Sequence, residues 1–290
     1  TLLGWGLLQT ESTRRKRISR ATFLLAMQIV VNLFAPHLFA PFTPGILSLF
    51  ALLIISEPIW SSPFRSSKLS PQTVFSLLLF LTVIGLYFGS GFQGSDKWTD
   101  RTTTASIQTL ILHLLLTGTY PLFPWIIFAV FGAFIAKITS TDSKINVLKL
   151  TTASIGFGRI FCVTSLVWSI NNDSAWALPS GEAVLTFFPP NYPFILAALT
   201  GVILLWTVIY KMPQVSFLED TGRCSLSLYV VHFIPFALFH KAETTYGWSL
   251  TISSLVVIGY TIAWIPIAKL WRSKFPSYTL EKLMRNLSEV

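Results

Sequence analysis

The chain has 290 residues, of which 52% are hydrophobic and only 11% charged, with a mean hydropathy of +0.64. An ordinary soluble domain carries roughly 25% charged residues, so the composition excludes one. The formal net charge of +9 would suggest nucleic acid in a soluble protein; here the basic residues lie in short loops beside apolar runs. Their expected partners are the headgroups of the lipid bilayer and the insertion machinery, with no nucleic acid.

Taking a span as about 20 mostly apolar residues, the runs fall at 21–38, 44–61, 72–92, 121–138, 148–170, 193–211, 224–240 and 249–270. Ahead of them, residues 1–9 form an apolar stub without an initiator Met, read as the end of a span that starts before residue 1. Residues 10–20 are a basic loop and 271–290 a tail. The stretch Ser106–Leu116 is apolar, but Gly118, Pro121 and Pro124 follow it. Such residues break a helix, so a short helix in the outer leaflet is expected. The expected fold is all-α: a polytopic transmembrane helix bundle of about eight full spans, with an N-terminal partial span and a short outer-leaflet helix, in a single membrane domain.

Charge gives the bundle an orientation. One set of loops holds Arg14, Arg15, Lys16, Arg17 and Arg20, then Arg65 and Lys68, then Lys137, Lys144 and Lys149, then Lys211 and Arg223, and last Lys269, Arg272, Lys274, Lys282 and Arg285. The opposite set holds Lys97, Arg101 and Lys241. By the positive-inside rule the first set is cytoplasmic. The expectation is a multi-pass protein of a plasma, inner or organelle membrane, with its C-terminus in the cytoplasm and Trp98, Asp173, Trp176, Glu182 and Tyr246 outside.

Polar side chains inside apolar runs are functional candidates, because hydrocarbon offers them no water. Arg159 sits near the middle of its run, where a guanidinium costs at least about 2.5–3.5 kcal/mol. An anion or phosphate contact and an internal ion pair or snorkelling both fit it. Glu57 is expected at the solvated cytoplasmic interface. Gln28 and Asn32, four apart, share one helix face, where they serve as glue between helices or line a substrate path.

His232 lies about nine residues into its run, some 13 Å from the cytoplasmic end. A neutral imidazole there suits an acid, a base or an acyl-group contact, or is simply satisfied by a neighbouring helix. His113 precedes the Tyr120–Trp125 break and is placed to face an extracytoplasmic acceptor, whereas His37 and His240 lie at wetted outer ends. Cys162 and Cys224 have no metal-ligand spacing and read as packing residues.

Four segments carry a resemblance: Phe42–Leu52, Tyr120–Gly132, Phe188–Gly201 and Gly222–His232. In this order and spacing the chain resembles the heparan-alpha-glucosaminide N-acetyltransferase catalytic-domain family, a group of multispan membrane acyltransferases. The resemblance implies transfer of an acyl (acetyl) group from cytoplasmic acetyl-CoA or another acyl-CoA to a glycan amine or hydroxyl on the far side, without a metal. It casts Arg223, Arg14, Arg15 and Arg17 as contacts for the CoA phosphates. His232 and Tyr229 would line the channel, and His113, Tyr120 and Trp125 would shape the acceptor side, with Gln28, Asn32 and Arg159 as further substrate contacts. Members of that family carry, ahead of the position where this chain starts, a first span and an extracytoplasmic loop with the histidine usually regarded as catalytic.

A transporter or flippase of a small polar or anionic solute is the alternative. It would use Arg159, the intramembrane amides and the broken stretch Gly118–Trp125. A homo-oligomer is compatible with either. Arg159, His232 and Asn32 are expected to point into the bundle interior, open contact of Arg159 with lipid would remove its proposed role, and acyl transfer favours a cavity running from Arg223 past His232 toward Tyr120.

Overall fold

The computed structural model describes residues 1–141, 143–213 and 216–289, with side chains for all of these but 141, 143–147, 216 and 217, so the side chain of Lys144 lies outside the described residues. The first half of the chain forms α1 (Leu2–Gln9), α2 (Arg14–Phe34), α3 (Ile46–Ile55), the short turns α4 (Glu57–Trp60) and α5 (Ser62–Ser66), α6 (Pro71–Phe88), α7 (Trp98–Thr102) and α8 (Ile107–Leu112), which runs on into a π-helical turn His113–Thr117. Then come α9 (Leu122–Thr141), α10 (Ser143–Asn171), the strands β1 (Ala175–Ser180) and β2 (Ala183–Phe188), and α11 (Tyr192–Lys211). The remainder is α12 (Ser216–Arg223), α13 (Ser225–Val231), α14 (Phe236–Tyr246), α15 (Leu250–Lys274) and α16 (Leu280–Glu289).

Among the described residues, six helices are long and apolar enough to cross a bilayer: α2, α6, α9, α10, α11 and α15. They coincide with six of the eight runs read from the sequence, and the protein is an all-α polytopic membrane protein. The other two runs are not continuous spans. Run 44–61 stops at Ile55 and continues as two turns that carry Pro58 and Pro63 near their starts. A proline lacks an N–H and its ring ends the helical ladder behind it; here the Trp60 indole N–H takes up the Leu53 carbonyl at 2.9 Å, while the Leu52 carbonyl keeps the Ser56 amide and gains the Ser56 hydroxyl at 2.7 Å. Run 224–240 is interrupted between Val231 and Phe236, ahead of Pro235, whose ring would collide with the Val231 carbonyl in a continuing helix.

The chain folds as two compact units, Thr1–Ser12 with Pro44–Lys211 and Thr13–Thr43 with Met212–Val290. The first unit is built around α9, whose Ile127, Ala129, Val130, Phe131, Ala133 and Ile135 are buried. A Cβ on Gly4 would collide with the Ala129 carbonyl, and one on Gly132 with the Thr1 carbonyl. α1 and α9 therefore touch backbone to backbone, the small-residue packing that joins helices in lipid. On another face Phe75 of α6 stacks on Phe134 at 4.8 Å.

Glu57 is buried rather than solvated. Its Oε1 accepts from Arg65 at 2.7 Å and from the Ser61 hydroxyl at 2.7 Å, while Arg65 also donates to the Leu7 carbonyl. The proline breaks turn the chain back and bring Arg65 within reach.

In the second unit, α2 starts on a Thr13 cap that accepts from the Lys16 amide. α16, read from sequence only as a tail, packs against α2, with the Ser19 hydroxyl donating to the Leu287 carbonyl at 3.0 Å. Its Glu281 carboxylate reaches the first turn of α13. There it accepts from the amides of Leu226 (2.6 Å) and Ser227 (3.1 Å) and from the Ser227 hydroxyl (2.6 Å), an acidic cap on otherwise unpaired amides at the positive end of the helix.

Candidate functional site

The break between α13 and α14 sets the geometry of His232. Its Nδ1 lies 2.6 Å from the Tyr229 carbonyl and 3.2 Å from that of Leu228, so Nδ1 carries the proton and donates to the backbone. Nε2 is then the free lone pair, and among the described residues nothing hydrogen-bonds to it. The His232 carbonyl, released by the break, accepts the Tyr260 hydroxyl of α15 at 2.6 Å. Tyr229 (5.4 Å), Phe233 (4.2 Å) and Phe236 (5.3 Å) enclose the imidazole.

This half-buried imidazole borders a cavity of about 820 Å³ within the second unit, a size typical of small-molecule sites. Its walls are Leu228, Phe239, Val257 and Trp264, with Thr221 and Ser225 toward one end and Glu243 and Ser253 toward the other. A basic lone pair on a fixed ring, facing an apolar space, can take a proton from a bound hydroxyl or amine. His232 lines this cavity, but neither Arg223 nor Tyr120 does, so it is not the route from Arg223 toward Tyr120 that was expected.

Arg223 instead borders a smaller basic pocket of about 290 Å³, with Arg272, Lys282 and Arg285. Two of these cations are already paired, Arg223 with Glu219 and Arg272 with Asp220, and Lys282 donates to the Ser277 hydroxyl at 3.0 Å. The Glu281 carboxylate also lines this pocket, so its cations offer donors to a phosphate-type anion beside three acidic groups. Arg14 and Arg15 are exposed and Arg17 half-buried in the first turn of α2, and none of them lines this pocket. Sequence reading singled out Arg223 alone of the four.

Other expected site residues have structural roles. Asn32 is buried, and its amide donates to the carbonyls of Pro41 (3.0 Å) and Thr43 (2.8 Å) while its Oδ1 accepts from the buried Gln28. The pair holds the turn after α2. His113 is buried in the first unit: Nδ1 accepts the Thr117 hydroxyl at 2.8 Å and Nε2 donates to the Thr103 carbonyl at 3.1 Å. With both nitrogens engaged it has no lone pair for an acceptor.

Tyr120 and Trp125 do meet, with ring centroids 5.4 Å apart, in an aromatic cluster with Phe187 of β2. Burial pushes the Tyr120 phenol above its usual pKa, which keeps it neutral. Arg159 does not point inward; it is exposed on α10, beside a groove of the first unit.

Arg101, counted in the sequence only as an outer-loop charge, is 1% exposed. It donates to the carbonyls of Gln93 (2.9 Å), Thr117 (3.1 Å) and Gly118 (2.9 Å), and the Gln93 amide donates onward to the Pro190 carbonyl. Burial lowers its pKa and Asp96 raises it in part; a guanidinium stays charged regardless. Both cysteines are free thiols. Among the described residues no three His, Cys, Asp or Glu side chains gather as a metal site.

No curated protein and no solved structure matches the chain. A family model, described as a protein of unknown function (DUF418), matches residues 132–290, a stretch that contains α10, both strands, α11 and all of α12 to α16 with His232 and its cavity. The chain is therefore a multi-pass membrane protein that belongs to the DUF418 family.

Proposed function

We propose that the protein is a membrane acyltransferase that moves an acyl group, acetyl in the simplest case, from acyl-CoA to a glycan hydroxyl or amine. The observation that carries this reading is His232, with Nδ1–H held by the Tyr229 carbonyl and the Nε2 lone pair beside the large cavity. The pocket at Arg223, Arg272, Lys282 and Arg285 supports it, because guanidinium and ammonium donors there can turn from Glu219 and Asp220 to the CoA phosphates. In the reaction the acceptor oxygen or nitrogen bonds to the thioester carbonyl carbon and gives its proton to Nε2. The C–S bond then breaks, and the proton passes from Nε2 to the leaving thiolate, releasing free CoA.

The test is radiolabelled acetyl-CoA supplied to membranes that contain the full-length protein. Label is expected to move to a glycan acceptor, with the rate falling at least about 100-fold in His232→Ala, the usual contribution of a positioned base. CoA-independent counterflow of a solute, or full transfer by His232→Ala, would overturn the proposal.

A further inference from the structure

Arg159 is the twelfth residue of the 24-residue apolar span Leu148–Asn171, so it lies about 17 Å from the Leu148 end. In a hydrocarbon core about 30 Å thick that is close to the centre. A charge at this depth is costly unless it meets a counter-ion, a polar partner or water, and a counter-ion satisfies it most directly. Among the described residues no hydrogen bond or ion pair reaches the guanidinium, and no acidic side chain lines the groove beside it.

The groove, of about 400 Å³, runs between α10 and α11 and falls in the size range of small-molecule sites. Ile155, Ala197 and Leu204 make its walls apolar, and Arg159 is its one cation. Trp176 of β1 also lines it and is held by a bond from its indole N–H to the Ser165 hydroxyl at 3.0 Å. A Cβ added to Gly201, on the α11 wall, would meet nothing within 4 Å, so this glycine faces open space.

We infer that this groove binds a single-chain amphiphile with a carboxylate head, a fatty-acid anion, with its carboxylate on Arg159 and its chain along the Gly201 wall. The depth selects the head group. Phosphates of bilayer lipids stay at the interface, whereas a carboxylate is small and can cross hydrocarbon in its protonated form before ionising against the guanidinium. The planar fork of arginine matches both carboxylate oxygens at once. The groove belongs to the first unit alone and would hold its ligand whether or not the second unit transfers acyl groups.

The probe is a stearic acid brominated along its chain, added to the full protein in a neutral detergent, with tryptophan fluorescence as the readout. Saturable quenching is expected, with a component that disappears in Trp176→Phe. Arg159→Gln should weaken it at least about tenfold, and Gly201→Leu, whose Cβ stands in open space on the groove wall, should do the same. The methyl ester of the same acid should not show the saturable component. Equal quenching by acid and ester, or undiminished binding in Arg159→Gln or in Gly201→Leu, would overturn the site.

Discussion

The Tyr260 hydroxyl donates to the His232 carbonyl across 2.6 Å, joining α15 to the break that follows α13. The carbonyl is available because Pro235 ends the helical ladder there. One hydroxyl therefore satisfies a freed backbone group and fixes the segment that carries the imidazole. Tyr260→Phe is expected to cost about 1 kcal/mol of stability, the scale of such bonds in membrane proteins. It should also slow acyl transfer about tenfold by letting the imidazole drift. Because Nε2 keeps its lone pair, the pH profile of the residual activity should keep its shape, and a shifted profile would mean that Tyr260 acts on the proton itself.

Glu281 ties the C-terminal helix to the first turn of α13 through three hydrogen bonds. Glu281→Ala removes all of them and leaves amides of α13 unpaired, a loss of about 2–3 kcal/mol. Hydrogen exchange over Leu280–Glu289 is expected to accelerate while exchange in the first unit stays unchanged. Slow exchange of α16 in the variant would show that its contact with α2 suffices.

The long helices were legible in the sequence because length and hydropathy together leave few alternatives to a span. The two broken runs were not, although Pro58 and Pro235 stood in plain view: an apolar stretch of the right length outweighs one proline until the partners of the freed carbonyls are known. Trp60 and Tyr260 are those partners, and Tyr260 lies 28 residues away. Glu57 was misjudged for a related reason, since Arg65 becomes its neighbour only when the chain turns back. His232 was found by its depth in the run, but its tautomer depended on the local break. The second nitrogen of His113 is taken by Thr103, which no spacing rule would select.

Arg101 predicts where the first unit is most sensitive. Its guanidinium serves three backbone carbonyls from the 93 and 117–118 segments, and hydrogen bonds to a charged donor are worth about 1.5–3 kcal/mol each. Arg101→Met, which keeps the length and removes the donors, should cost at least about 3 kcal/mol on that scale. Arg101→Lys should recover little, because one ammonium cannot reproduce the fork between two segments. Thermal unfolding in detergent measures both; a lysine variant as stable as wild type would contradict the fork argument.

His37 and His240 stack with ring centroids 4.5 Å apart and planes within 5° of parallel. Burial first and the neighbouring His240 second hold the His37 imidazole below its ordinary pKa of 6.5. The sign follows from proton counting. Between the folded and unfolded values the unfolded chain binds more protons, so acid favours unfolding. The stack contributes fully above about pH 6.5 and is progressively lost as the pH falls below that value. His240→Phe keeps an aromatic ring against His37 but removes the second charge. The thermal midpoint of the wild type should therefore fall between pH 7 and pH 5 more steeply than that of His240→Phe, with the two curves converging above pH 7. Parallel curves across that interval would show that the two rings do not repel when protonated.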